Sequence, residues 1–258
     1  MIFFYSFLIF LFGASLGSFA NVCIYRLPRD KQIISGRSFC PGCKKKINWY
    51  DNLPLISYIL LNAKCRNCDR SISARYLIVE LTTAISFLLI FLSFKNPYTI
   101  IFLSILILIL IMIFFIDLEN FIIPDSLNFS IMGLAFIKNF VPSFNTSLIH
   151  DINQSLIGGI IGYFSIWLII FLYKTLKKID GMGLGDAKLM AGIGLLFGWQ
   201  SIPLVLFLSS ILGLFFVAPS LLKKQKTMKS EIPFGPFIII AMLIYFVFGD
   251  FFYGLILV

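Results

Sequence analysis

The sequence predicts an all-α polytopic membrane protein, with about eight transmembrane helices and a small zinc-knuckle cytoplasmic insert. Three observations predict it. Of the 258 residues, 59% are hydrophobic and only 13% are charged, against roughly 45–50% and about 25% in soluble domains. The apolar residues gather in runs close to the ~20 needed to cross a bilayer. One stretch of different character follows the first run and holds four of the five cysteines.

The candidate spans are 2–20, 76–94, 98–116, 126–142, 155–173, 187–199, 202–222 and 236–256, the sixth being short. Threading them with the N-terminus outside puts residues 26–75, 174–188 and 223–229 in the cytoplasm. Those segments carry 11, 4 and 4 basic residues, so 19 of the 21 Lys and Arg lie inside, and only Lys95 and Lys138 remain. The positive-inside rule predicts that skew and opposes the reverse orientation. The net charge of +9 therefore reflects topology and the anionic lipid bilayer. No basic–aromatic pattern argues for nucleic acid.

The first run ends in small residues, Gly13-Ala-Ser-Leu-Gly-Ser-Phe-Ala20, as a signal peptide could. No positive residue precedes it, however, and the first charges, Arg26 and Arg29, follow it. It reads as a retained first transmembrane helix, residues 1–25. Cys23 at its end reads as a small packed residue.

Residues 26–75 form the cytoplasmic zinc-binding insert. Cys40-Pro-Gly-Cys43 and Cys65-Arg-Asn-Cys68 are two knuckles separated by 21 residues. Each can turn tightly and offer two sulfurs to one tetrahedral ion, and closed structural Zn²⁺ sites take four such thiolates. A pair of disulfides is the alternative, and the reducing cytosol opposes it. Gly42 and Asn67 suit the turns. Lys44, Lys45, Lys46, Lys64 and Arg66 are placed to offset the thiolate charge. So few apolar residues gain from a metal staple.

Residues 76–258 form the remaining transmembrane domain. Ionisable residues in spans are costly and default to functional candidates. Asp117 ends the apolar run of the third span, and Asp186 begins the sixth from the same cytoplasmic edge. Two carboxylates at equal depth can meet across a helix interface and share one proton. The ionised partner can take a proton from water while the protonated one polarises a carbonyl, which is peptide hydrolysis without metal, serine or cysteine. Gly181, Gly183 and Gly185 would let the backbone hold an extended peptide closely. The simpler reading of this stretch is a helix entry with Asp186 as N-cap. Asp125, after Pro124, reads as a cap or turn into the fourth span, and Glu80 as a partner of Arg75 or another basic residue. The only histidine, His150, is expected outside, which excludes a His-dependent triad at the cytoplasmic edge.

These residues resemble the type IV prepilin peptidase family, the aspartic proteases of bacterial inner membranes. The resemblance spans nearly the whole chain. It rests on Gly17-Ser-Phe-Ala-Asn-Val-Cys-Ile-Tyr-Arg-Leu-Pro28, both Cys-x-x-Cys pairs, Trp49-Tyr-Asp-Asn-Leu-Pro54 and Arg75-Tyr-Leu-Ile-Val-Glu80. It continues in Asp117 to Ile123-Pro-Asp125, Gly181-Met-Gly-Leu-Gly-Asp-Ala-Lys188 and Ile232-Pro-Phe-Gly-Pro-Phe237. It implies a multi-pass inner-membrane enzyme that cuts basic leaders from prepilins and pseudopilins at the cytoplasmic face. It implies Asp117 and Asp186 as the catalytic pair, with supporting roles for Asp125, Gly181, Gly183, Gly185, Lys188 and Glu80. It also implies N-methylation of the new terminus with S-adenosylmethionine. The alternatives are a transporter with acidic sites, which would need carboxylates near the midplane, and a zinc-knuckle scaffold, which would leave the aspartates unused.

Overall fold

A computed structural model describes residues 1–33, 38–40, 42–139, 152–178, 182–222 and 232–256. Gly181, His150 and the basic segment 223–229 lie outside these residues. The described chain is helical, with isolated bridges at Phe39–Lys46 and Lys64–Ser71. It divides into two compact units, Met1–Met112 and Ile113–Val258.

The first unit is built on α1 (Ile2–Arg26) and α3 (Ala74–Ser93), with the insert and the short α2 (Ile56–Leu60) between them in sequence. Their contacts run in opposite senses, so the two helices pack antiparallel. A Cβ on Gly13 would lie 2.9 Å from Ala84 Cα, and one on Gly17 would lie 2.7 Å from Glu80 Cα. Small residues let membrane helices approach this closely, where dispersion rather than the hydrophobic effect must hold them. Cys23 is buried at this end of α1, as expected of a packed residue. α4 (Pro97–Asn120) begins in this unit and ends in the second.

The second unit contains α5 (Asp125–Lys138), α6 (Ile152–Lys177), α7 (Leu184–Phe197), α8 (Ser201–Leu222) and α9 (Gly235–Ile256). Its centre is α7. Ten residues of this helix are buried, from Asp186 to Phe197, and a helix apolar all round belongs inside a bundle. α6 crosses it through glycine: Gly158 and Gly194 meet backbone to backbone, and a Cβ on Gly162 would lie 2.5 Å from Met190 O. α5 packs Ile131 against Gly192. α9 adds Tyr245 against Phe197 with ring centroids 5.7 Å apart, and α8 meets α9 at Phe216 and Phe237, 5.5 Å apart.

Five helices among the described residues are long and apolar enough to cross a membrane: Ile2–Arg29, Ala74–Ser93, Pro97–Asn120, Ile152–Lys177 and Ser201–Ala218; Gly235–Gly249 is a shorter apolar helix. α5 and α7 have 14 residues each, about 21 Å against a hydrocarbon core of about 30 Å. That accounts for the short sixth span: α7 is sheathed by other helices and does not present a full lipid-facing face.

Candidate active site and metal centre

α4 carries its helix through Asp117 to Asn120 and stops where Phe121 turns to φ 57°. The extended residues Ile122 to Pro124 then lead into α5. Asp117 is 5% exposed, and its Oδ2 accepts the N–H of Gly235, the first residue of α9, at 2.9 Å. An anion at a helix N-terminus meets unpaired N–H groups and the positive end of the macrodipole.

Asp186 stands third in α7, whose N-cap is Gly183; its own N–H bonds the Gly183 carbonyl at 3.2 Å. The side chain is therefore inside the first turn rather than capping it. Asp186 is 8% exposed. Asp117 is close enough for its charge to act on that of Asp186, and Asp186 Oδ1 is buried without a hydrogen-bond partner. A buried acceptor without a protein partner calls for an explanation, and a shared proton between two carboxylates is one.

Ile123 joins the two sides. A Cβ on Gly235 would lie 3.1 Å from Ile123 Cδ1, and a Cβ on Gly185 would lie 3.0 Å from Ile123 Cβ. The Gly185 carbonyl accepts Asn128 Nδ2 at 3.2 Å from α5. Thus the linker after Asp117, the start of α7 and the start of α9 interlock through two glycines. Neither Gly183 nor Gly185 has positive φ; among the described glycines only Gly198 does. The expectation of unusual backbone at these two glycines is corrected: Gly185 is required by close approach, and Gly183 only meets Asp186 Oδ2 at an ordinary 3.8 Å.

Asp125 opens α5, with Pro124 rather than itself as the N-cap. Its Oδ1 lies 2.6 Å from Lys188 Nζ on α7, so two motif residues far apart in the chain form one ion pair beside the site. Glu80 lies in the first unit, buried on α3. Its Oε2 accepts the N–H of Leu55 at 2.7 Å, and the Ser18 hydroxyl also faces it.

The insert folds around its cysteines. In the first knuckle Cys40 N–H bonds Lys45 O and Lys44 N–H bonds Cys40 O; in the second Cys65 N–H bonds Arg70 O and Asp69 N–H bonds Cys65 O. Lys44 and Asp69, each just after the second cysteine, take φ of 58° and 52°. The left-handed residues are these two rather than Gly42 or Asn67. Gly42 instead gives room to the facing knuckle, where a Cβ would come 2.6 Å from Arg70 Cδ.

The ligand atoms of Cys40, Cys43, Cys65 and Cys68 all lie within 4.8 Å of one another, and the Cys40 and Cys68 sulfurs are 3.8 Å apart. A tetrahedral ion with Zn–S near 2.3 Å requires S···S of about 3.8 Å, so the donor set fits. The N–H of Cys43 foremost, with that of Gly42 and the neighbouring thiols, holds the Cys40 thiol down at about 7. At Cys68 the N–H of Arg70 lowers the thiol, but burial and three neighbouring sulfurs outweigh it and push it up to about 11. Four sulfurs this close can all ionise only around a cation. Arg66, expected to offset thiolate charge, turns to Asp51 instead, with Nη2 2.7 Å from Oδ1 and Nε 3.0 Å from Oδ2.

Asn128 and Leu55 were not singled out by the sequence, and Gly235, Ile123 and Asp51 entered only as members of the resemblance motifs, without a role of their own. The available signal for Gly235 was its setting, Pro233-Phe-Gly-Pro236, where a glycine between prolines opens a helix.

Comparison with known proteins shows the family. Residues 11–94 match the Bacterial Peptidase A24 N-terminal domain, and residues 104–218 match the Type IV leader peptidase family. The chain is 40% identical over 240 residues to the prepilin leader peptidase/N-methyltransferase of Vibrio cholerae, covering 90% of this chain and 92% of that one. It is 34% identical over 272 residues to the protein of that name from Aeromonas salmonicida, covering 94% and 90%. With that of Pseudomonas aeruginosa it shares 32% identity over 263 residues, covering 93% and 89%. No solved structure matches.

Proposed function

The chain belongs to the type IV leader peptidase family, and from that membership we propose that it is a membrane aspartic endopeptidase removing the basic leader from type IV prepilins and pseudopilins. The observation that carries the proposal is the buried pair itself, Asp117 from α4 and Asp186 from α7, interacting electrostatically and with one Asp186 oxygen unpartnered.

The division of labour follows from their surroundings. Gly235 N–H fixes one Asp117 oxygen, so Asp117 is oriented by α9. Asp186 Oδ1 is buried with no protein hydrogen-bond partner, which leaves this oxygen for a proton or for substrate. One carboxylate of such a pair ionises while the other keeps a proton. The ionised one takes a proton from the attacking water, and the protonated one polarises the scissile carbonyl and then protonates the leaving amine. Asp125 and Lys188 hold α5 to α7 beside this site and take no part in the proton transfers. Gly183 and Gly185 lead the chain into α7 and shape the approach for the substrate backbone; Gly181 belongs to the same sequence motif.

The protein sits in the bacterial inner membrane, N-terminus outside, with the insert and the aspartates at the cytoplasmic side. A prepilin joins a basic leader to an apolar helix. The helix packs among the spans, and the leader stays at the cytoplasmic edge, which brings the scissile bond to the depth of the pair. Shifting the substrate helix by several residues relative to the cut should therefore reduce cleavage. The four cysteines hold a structural Zn²⁺, whose closed shell leaves no position for substrate. The same chain also methylates the new terminal amine. S-adenosylmethionine would supply the methyl group, and no residue is assigned to it.

The direct test is purified protein in lipid acting on a prepilin, with the product weighed by mass spectrometry. A product cut before the apolar helix, heavier by one methyl group, supports both activities. An uncut substrate contradicts the peptidase reading.

A further inference from the structure

Glu80 is a carboxylate in the first compact unit, apart from the unit that carries Asp117 and Asp186. It lies on α3, 8% exposed. Such a group is expensive in a membrane helix unless something specific holds it there. Three separate pieces of the first unit converge on it. α1 approaches through Gly17, where a Cβ would lie 2.7 Å from Glu80 Cα, and thereby delivers the Ser18 hydroxyl. α3 supplies the carboxylate. The insert supplies the Leu55 N–H, 2.7 Å from Oε2.

Leu55 is an unusual donor. It is a large side chain at φ 62° and ψ −48°, a region that L-residues enter at a cost and that persists only where the surroundings enforce it. That conformation turns its N–H toward Glu80 rather than along the chain. A buried charge-assisted bond to a backbone donor is strong enough to hold such a turn.

From Leu55 a short path leads back to the metal centre. The turn Trp49–Asn52 directly precedes the Leu53 to Leu55 segment and carries Asp51. Asp51 is gripped by Arg66, which lies between the two cysteines of the second knuckle. The path therefore runs from the Cys65–Cys68 knuckle through Arg66 to Asp51 by side-chain contact, along the backbone from Asp51 to Leu55, and from Leu55 to Glu80 on the membrane helix.

We infer that Glu80 is a positioning residue: its carboxylate latches the metal-organised insert onto the α1–α3 pair, and methyl transfer depends on that latch more than leader cleavage does. The inference rests on the proposed two-activity reading, because the insert is the part that peptide hydrolysis leaves unexplained. The latch orders the insert above the membrane helices, while Asp117 and Asp186 belong to the other compact unit.

The test uses the full chain in lipid with Glu80→Ala and Glu80→Gln. Hydrogen exchange reads the Leu55 amide, and mass spectrometry reads cleaved and methylated product from one prepilin reaction. In Glu80→Ala the Leu55 amide should exchange roughly tenfold faster or more, as expected for a buried donor left without its acceptor. The ratio of methylated to cleaved product should fall by a similar factor, with bound zinc retained. Glu80→Gln keeps a carbonyl oxygen in place and should restore both readouts in large part. The inference is overturned if Leu55 exchange in Glu80→Ala matches the wild type, or if methylation and cleavage fall in equal proportion. A wild-type enzyme that cleaves but never methylates would instead overturn the methyl-transfer reading, and Leu55 exchange alone would then decide the latch.

Discussion

Asp117 Oδ2 and the backbone N–H of Gly235 meet at 2.9 Å across 118 residues of sequence. The bond ties the end of α4 to the start of α9 and sets which Asp117 oxygen is left for chemistry. A Cβ at position 235 would stand 2.8 Å from that same oxygen and 3.1 Å from Ile123 Cδ1. Gly235→Ala should therefore displace the carboxylate. Cleavage kcat/KM is expected to fall roughly tenfold or more, the scale on which small misplacements at reacting groups act. A steady-state prepilin assay at matched protein level checks it.

The two described glycines before Asp186 should not be equivalent. Gly185→Ala forces a Cβ to 3.0 Å from Ile123 Cβ, whereas Gly183→Ala meets nothing closer than 3.8 Å. Cleavage should drop markedly for Gly185→Ala. Gly183→Ala should lose only the modest advantage of Gly over Ala at an N-cap, on the order of 1 kcal/mol. Activity and thermal unfolding of the two variants, measured side by side, separate the effects.

Metal analysis of the purified protein should find about one zinc per chain, set by four thiolates. Cys40→Ser or a strong chelator should remove it and make residues 38–72 sensitive to protease, while the Asp117–Asp186 unit keeps its helices. Binding displaces protons from thiols, so zinc retention should weaken as pH falls. Metal content and proteolysis followed together across pH check both points.

Lys138 is 2% exposed, and its Nζ bonds Leu196 O at 2.7 Å, Leu195 O at 3.2 Å and Ser155 Oγ at 3.3 Å. It thus caps the C-terminal end of the helix whose first turn bears Asp186, where a cation is favoured. Lys138→Met keeps the bulk but leaves those carbonyls without a donor. A loss of about 1–3 kcal/mol is expected, read as a lower unfolding temperature in detergent.

What the sequence made legible follows the range over which each feature is determined. The zinc knuckles were readable because each is a local turn: Cys40 N–H to Lys45 O and Cys65 N–H to Arg70 O close within six residues. The long spans were readable from apolar length alone. α5 and α7 were readable as apolar segments, but their 14-residue length and the burial of α7 among other helices were not, because both depend on neighbours distant in sequence. Asp117 and Asp186 stood out as carboxylates at apolar edges. Gly235 did not, because its contribution is a backbone N–H delivered from 118 residues away. Leu55 escaped notice for the same reason, and Arg66 was misassigned because its nearest neighbours in sequence are thiolates while its partner in space is Asp51.

The central claim is that Asp117 and Asp186 act together on one peptide bond. It is tested most directly by the single-turnover cleavage rate of Asp117→Asn and Asp186→Asn in lipid, with folding confirmed by unchanged zinc content and unfolding temperature. Each variant should cut a prepilin roughly 10²–10⁴-fold more slowly than the wild type, as expected for loss of a general acid or base. A folded variant of either kind that cleaves at the wild-type rate would contradict the account.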